Sequence, residues 1–177
     1  MSVATRRKFL GTAAVAAISG TTAGCGGGSG ANWRFFSEQE GRTLEAMLDA
    51  IIPPDGIPGA REAGVIHYID RQLMRRFRDS RKAYREGLMA ADRLAGGAFA
   101  ELSPERREEL LREMERNPAT RPFFDLLVTH AMQGFYADPR HGGNRDFVSW
   151  RMLGLPPVQV RGRDRYEFGK GGGNAKS

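Results

Sequence analysis

The chain has 177 residues, with 27 Lys+Arg against 21 Asp+Glu and a formal charge of +6, a length that favours one domain over two. Its one cysteine excludes an intramolecular disulfide, a Cys-ligated iron–sulfur cluster and a Cys-x-x-Cys-His haem site within this chain, because each needs at least two thiols from it. Arg6, Arg7 and Lys8 fall in an acid-free stretch that reads as cleaved, leaving 24 against 21, or +3. Compositional support for a nucleic-acid partner goes with them.

Residues 1–24 read as a bacterial export signal. The pair Arg6-Arg7 precedes an apolar run from Phe9 to Ile18, and small residues follow from Gly20 to Gly24, the order of a secretory segment. The run is about half the ~20 residues needed to span a bilayer and is Ala-rich, which disfavours a permanent membrane helix. The twin-arginine pattern resembles the Tat class, whose cargo crosses the membrane already folded; folding and cofactor loading would then take place in the cytoplasm. Cys25 follows Thr22-Ala23-Gly24 and opens a Gly-rich tether over residues 25–32. This arrangement resembles a lipobox and makes Cys25 the lipidation candidate; the alternative is ordinary cleavage that leaves a free terminal thiol.

The remainder reads as all-α, a single small domain of about five helices over residues 33–157 with a tail at 158–177. After residue 24 there are only five Val, five Ile and three Thr, few β-branched residues for a sheet protein. Ser37 and Glu40 form a capping box ahead of Leu44, Met47, Leu48 and Ile51 at helical spacing, and Pro53-Pro54 stops that helix. A second helix is predicted from about Ala60, with its stripe at Ile66, Ile69, Leu73 and Phe77. Tyr84, Leu88, Ala91 and Ala95 mark a third, closed by Gly96-Gly97; Ser103-Pro104 opens a fourth, carrying Leu110, Leu111 and Met114. Beyond Asn117-Pro118, the segment from Phe123 to Phe135 is the most apolar of the body and is predicted to be the central helix, apolar on more than one side.

The segment Tyr136–Trp150 combines Asp138-Pro139, the run Gly142-Gly143-Asn144 and charged groups beside aromatics, the chemistry of a built loop. Together with Ile51-Ile52-Pro53-Pro54-Asp55, Pro58-Gly59-Ala60, Ala63-Gly64-Val65 and Trp150 through Gly154-Leu155-Pro156, it resembles the gluconate 2-dehydrogenase subunit 3 family. Ser149 stands where that pattern usually has Gly. The resemblance implies a small, non-catalytic subunit of a membrane-associated sugar or sugar-acid dehydrogenase. Its partner would be a GMC-type flavoprotein large subunit that binds FAD and oxidises the alcohol, and a cytochrome c subunit with haem c would receive the electrons. The small subunit would assist maturation and export to the periplasm, holding no cofactor and no catalytic or metal-binding residue. Arg6 and Arg7 then serve export, while Pro53, Pro54, Asp55, Gly142, Gly143, Asn144, Arg145, Asp146 and Trp150 serve the fold or docking. Plainer roles stand beside these: Asp55 as a helix cap, Trp150 as core, Arg145 with Asp146 as a local ion pair.

Other chemistries have less in their favour. His67 and Asp70 lie three residues apart, and with His130 and His141 they could in principle build a metal site; a stand-alone periplasmic lipoprotein that binds a metal or small ligand is therefore the rival reading. There is no Gly-x-Ser-x-Gly elbow, and the Gly-rich runs lack the context of a phosphate loop. The basic run Arg71, Arg75, Arg76, Arg78, Arg81, Lys82 and Arg85 is interrupted by Asp70, Asp79 and Glu86 and reads as a solvated face, or one matching an acidic partner, ahead of a polyanion or anionic-lipid surface.

Overall fold

A computed structural model describes residues 33–156. Among them the order is α1 (Glu38–Ile51), α2 (Val65–Leu73), α3 (Arg81–Ala95), α4 (Pro104–Arg116), α5 (Arg121–Tyr136) and a short α6 (Val148–Met152), with single 3-10 turns between several of these and no strand. The fold is all-α, as the composition implies. The signal at 1–24, the tether at 25–32 and the tail at 158–177 lie outside the described residues.

Local chemistry sets most helix ends. The Ser37 hydroxyl accepts from the Glu40 amide and the Glu40 carboxylate accepts from the Ser37 amide at 2.8 Å, the reciprocal cap read from the sequence. Ser103 caps α4 with Pro104 in its first turn, and Gly96 ends α3 in the left-handed region at φ +69°. The second helix departs from expectation at both ends. Residues 60–64 form a turn, closed by Val65 N–H donating to the Ala60 carbonyl, and α2 starts only at Val65 because Gly64 takes φ +68°. It stops at Leu73, where the amides of Arg75 and Phe77 both turn back onto the Gln72 carbonyl. Phe77 therefore packs from a turn rather than from a helical stripe.

The core holds Leu44, Met47 and Leu48 of α1, Ile66, Ile69 and Leu73 of α2, Tyr84 and Leu88 of α3, Leu110 and Met114 of α4, and Phe123, Leu127 and Phe135 of α5. Full burial of one such side chain contributes about 1.5–3 kcal/mol. Helix α5 packs against α1, α2, α3, α4 and α6, which makes it the central element. Two polar groups are built into this interior. The Asp70 carboxylate accepts the backbone amides of Arg34 and Phe35 at 2.9–3.1 Å and so fastens the N-terminal segment onto α2. Tyr84 and His130 share a hydrogen bond of 3.0 Å between the phenol and Nδ1, while the His130 ring stacks on Phe77 at 3.9 Å.

Burial pushes the Tyr84 phenol far above its usual range and holds the His130 imidazole below its own. Both groups are thus neutral at pH 7, and the bond between them joins two uncharged partners. The unfolded chain takes up the histidine proton near pH 6.5, the folded chain only at lower pH; protons therefore favour unfolding across that interval. His67, held low mainly by burial and then by Arg145, adds with the same sign. The melting temperature is expected to fall as pH drops from neutrality below about 6.5, and His130→Phe should flatten that slope. An identical slope in the variant would contradict this assignment.

Candidate functional site

The segment after α5 is held against the crossing of α2 and α5 by close backbone approach. Gly143 lies so near Gly134 of α5 that a Cβ would come within 2.1 Å of the Gly134 carbonyl oxygen, and Gly142, at φ +111°, sits against the His67 carbonyl of α2. Gly134 in turn leaves room for Val65 and Tyr68 of α2. A loop, α5 and α2 can stack this tightly only where side chains are absent.

Asn144 clamps the loop. It is fully buried and left-handed at φ 46°, ψ 44°, a conformation asparagine tolerates better than most residues. Its Nδ2 donates to the Ala137 carbonyl and its Oδ1 accepts from the Ser149 amide, both at 2.9 Å. One side chain thereby joins the end of α5 to the start of α6. The Ser149 hydroxyl is buried without a partner among the described residues, so the loop uses this residue's backbone and not its side chain. Next to the clamp, Asp146 and Phe147 also have positive φ, 55° and 56°. For a bulky residue such as Phe147 this is a strained conformation, which persists only where the surroundings over-determine it. The buried Phe147 side chain, its ring 5.3 Å from that of Trp150, and its amide bond to the Asn144 carbonyl do so here.

Further bonds tie the loop to its neighbours. The Arg145 amide donates to the Ala63 carbonyl at 2.9 Å, and its guanidinium lies over Gly64 beside His67. Arg71 reaches the Arg140 carbonyl at 2.8 Å, and Trp150 Nε1 donates to the Tyr136 carbonyl at 2.9 Å.

The expected residues thus separate by role. Gly143 and Asn144 are interior and build the loop, Gly142 makes its turn, and Trp150 is half-buried at the rim rather than in the core. Arg145 and Asp146 are exposed and form no ion pair with each other. Pro53, Pro54 and Asp55 are exposed in the α1–α2 linker; Asp55 caps no helix, since α1 ends at Ile51 with Ile52 as its C-cap and α2 is preceded by Gly64. Arg6, Arg7 and Cys25 lie outside the described residues. The histidines are spread apart in function: His130 is in the core, His67 rests on Trp33 at 5.3 Å, and His141 accepts from Arg140 at 3.1 Å. Among the described residues, no three His, Cys, Asp or Glu side chains converge as a metal would require.

Around the loop lies an apolar rim that periodicity did not single out. Met132 and Tyr136 at the end of α5, and Leu153 and Leu155 at the end of α6, are 37–54% exposed. They are joined through Trp150, which bonds to Tyr136 and whose carbonyl accepts the Leu155 amide at 2.8 Å. Large apolar side chains left in water near one loop are a feature that interaction surfaces share. The signals for Gly134 and the rim were present but indirect: a lone Gly inside the most apolar helix, and more apolar residues there than one face can bury.

Residues 38–157 match the model of the family described as gluconate 2-dehydrogenase subunit 3. No curated protein and no solved structure matches the chain. The family match covers more than half of the sequence and includes both loops, and the chain belongs to the gluconate 2-dehydrogenase subunit 3 family.

Proposed function

We propose that this chain is the non-catalytic docking and export subunit of an FAD-dependent gluconate or sugar dehydrogenase. In this reading the twin-arginine signal at Arg6-Arg7 serves an assembled pair: the small subunit folds in the cytoplasm, binds an FAD-loaded GMC-type flavoprotein, and carries it to the periplasm. There Cys25 or the complex itself holds the pair at the membrane, and a cytochrome c subunit takes the electrons. The observation that carries the proposal is the apolar rim of Met132, Tyr136, Trp150, Leu153 and Leu155, set on a loop whose strain is held by Asn144. Family membership supplies the class of partner.

A rigid loop suits this task because a pre-ordered surface loses little conformational freedom on binding. Leu153 and Leu155 are the most exposed side chains of the rim, so a partner seated there must bury them; losing a fully buried interface anchor typically weakens binding by 2 kcal/mol or more, roughly thirtyfold. Co-expression with the cognate flavoprotein should yield a stable complex, and Leu153→Asp/Leu155→Asp should weaken capture by at least about thirtyfold. Both leucines are half exposed, so melting should stay within about 1 kcal/mol of the parent. Undiminished capture by the folded variant would overturn the docking assignment, and a parent chain that captures no flavoprotein would point to the stand-alone lipoprotein.

A further inference from the structure

We propose that a second face, formed by the end of α2 and the start of α3 beside the entry of the N-terminal tether into the fold, rests on an anionic phospholipid surface. Residues 33–156 contain equal numbers of Lys+Arg and Asp+Glu, so any strongly positive face reflects segregation of charge rather than overall basicity. Arg75, Arg76 and Arg78 are exposed and form no ion pair among the described residues. Arg78 bonds only to the Met74 carbonyl, Arg81 to the Leu73 carbonyl and the Met74 sulfur, and Arg71 to the Arg140 carbonyl. The acids nearby are mostly engaged: Asp70 by the Arg34 and Phe35 amides, Glu40 by Arg85, Glu86 by Lys82 at 3.8 Å and Asp138 by Arg140 at 3.5 Å. Asp79 alone is left to offset the arginines. Within this ring Met74 is 37% exposed, an apolar group among guanidinium groups, as an interfacial surface requires.

The tether selects a membrane over an acidic protein. The chain enters the fold beside this face and runs toward it: the Trp33 ring lies on His67 near the start of α2, Arg34 and Phe35 are fastened to Asp70, and the Arg81 and Arg85 guanidinium groups cover the Phe35 ring at 5.6 and 4.7 Å. Eight peptide steps separate Cys25 from Trp33, at most about 28 Å when fully extended. A body of this size is about 35 Å across. An anchor at Cys25 therefore cannot let the far side turn to the bilayer; the entry face is the one within reach. This orientation rests on the anchor proposed above, whereas the affinity of the patch does not.

The two are separated by testing the chain from Gly26 onward, which keeps every described core residue and lacks Cys25. It should co-sediment with phosphatidylglycerol-containing vesicles at low ionic strength and not with phosphatidylcholine vesicles, and should be released by salt. Each arginine lost near such a surface reduces partitioning about fivefold, so Arg75→Glu/Arg76→Glu/Arg78→Glu should reduce it at least about a hundredfold with unchanged melting and unchanged capture of the flavoprotein. Equal vesicle binding by this variant would overturn the proposal. So would loss of binding only on Arg161→Gln/Arg163→Gln/Arg165→Gln in the tail, or a charge-reversed patch that still binds vesicles but loses the flavoprotein. Acyl labelling of Cys25 reads the anchor independently.

Discussion

Replacing Gly143 with alanine is expected to be among the most damaging single substitutions in the described fold, lowering stability by roughly 3–6 kcal/mol. The added Cβ would stand 2.1 Å from the Gly134 carbonyl oxygen. Ordinary contact needs more than an ångström of extra space, and a backbone carbonyl inside the central helix cannot supply it. The loop would have to lift away. Overpacking of this sort costs about 1–3 kcal/mol, and lifting the loop endangers both Asn144 bonds, each worth about 1–3 kcal/mol when a buried partner is left unsatisfied. Against a typical total of 5–15 kcal/mol, the melting temperature should fall by about 15 °C or more.

Gly41 provides the comparison. A Cβ there would come within 2.2 Å of Trp33 Nε1, but the obstacle is a half-buried side chain near the start of the described residues, which can swing aside. Gly41→Ala should therefore be much milder despite a similar nominal overlap. If Gly143→Ala melted within a few degrees of the parent, the close stacking of loop on helix would be wrong.

What could be read from the sequence follows from how local each determinant is. The caps at Ser37, Gly96 and Ser103 act within a few residues of themselves, and α1, α3 and α4 stand where those signals put them. The bounds of α2 are not local in this sense. Ala60 to Gly64 has composition compatible with a helix, and only the left-handed Gly64 breaks it; Phe77 continues the stripe on paper yet reaches His130 from a turn. The Gly142-Gly143-Asn144 run was legible as a loop because those residue types tolerate positive φ. The same conformation at Asp146 and Phe147 was not, because nothing local favours it in phenylalanine and only the assembled packing imposes it. Met132 shows the limit of periodicity: it lies three residues from buried Phe135 in an apolar run, yet it is 43% exposed.

The second large effect concerns export. Arg6→Lys/Arg7→Lys keeps the charge of the proposed signal but removes the paired guanidinium groups, whose fixed fork of donors an ammonium does not reproduce. If this chain carries a folded flavoprotein with it, that conservative exchange should leave both polypeptides in the cytoplasm, reducing the periplasmic amount of each to a small fraction of the parent's. Leu153→Asp/Leu155→Asp should behave differently: the small subunit is exported and the flavoprotein is left behind. The two variants thus separate a failed signal from a failed dock.

The central claim is that the signal on this chain serves a partner docked to it, and the most direct measurement is the amount of the cognate flavoprotein in the periplasm of cells that carry Arg6→Lys/Arg7→Lys as their sole copy of the small subunit. The account predicts that the flavoprotein is retained in the cytoplasm; a periplasmic level equal to that of the parent strain would contradict it.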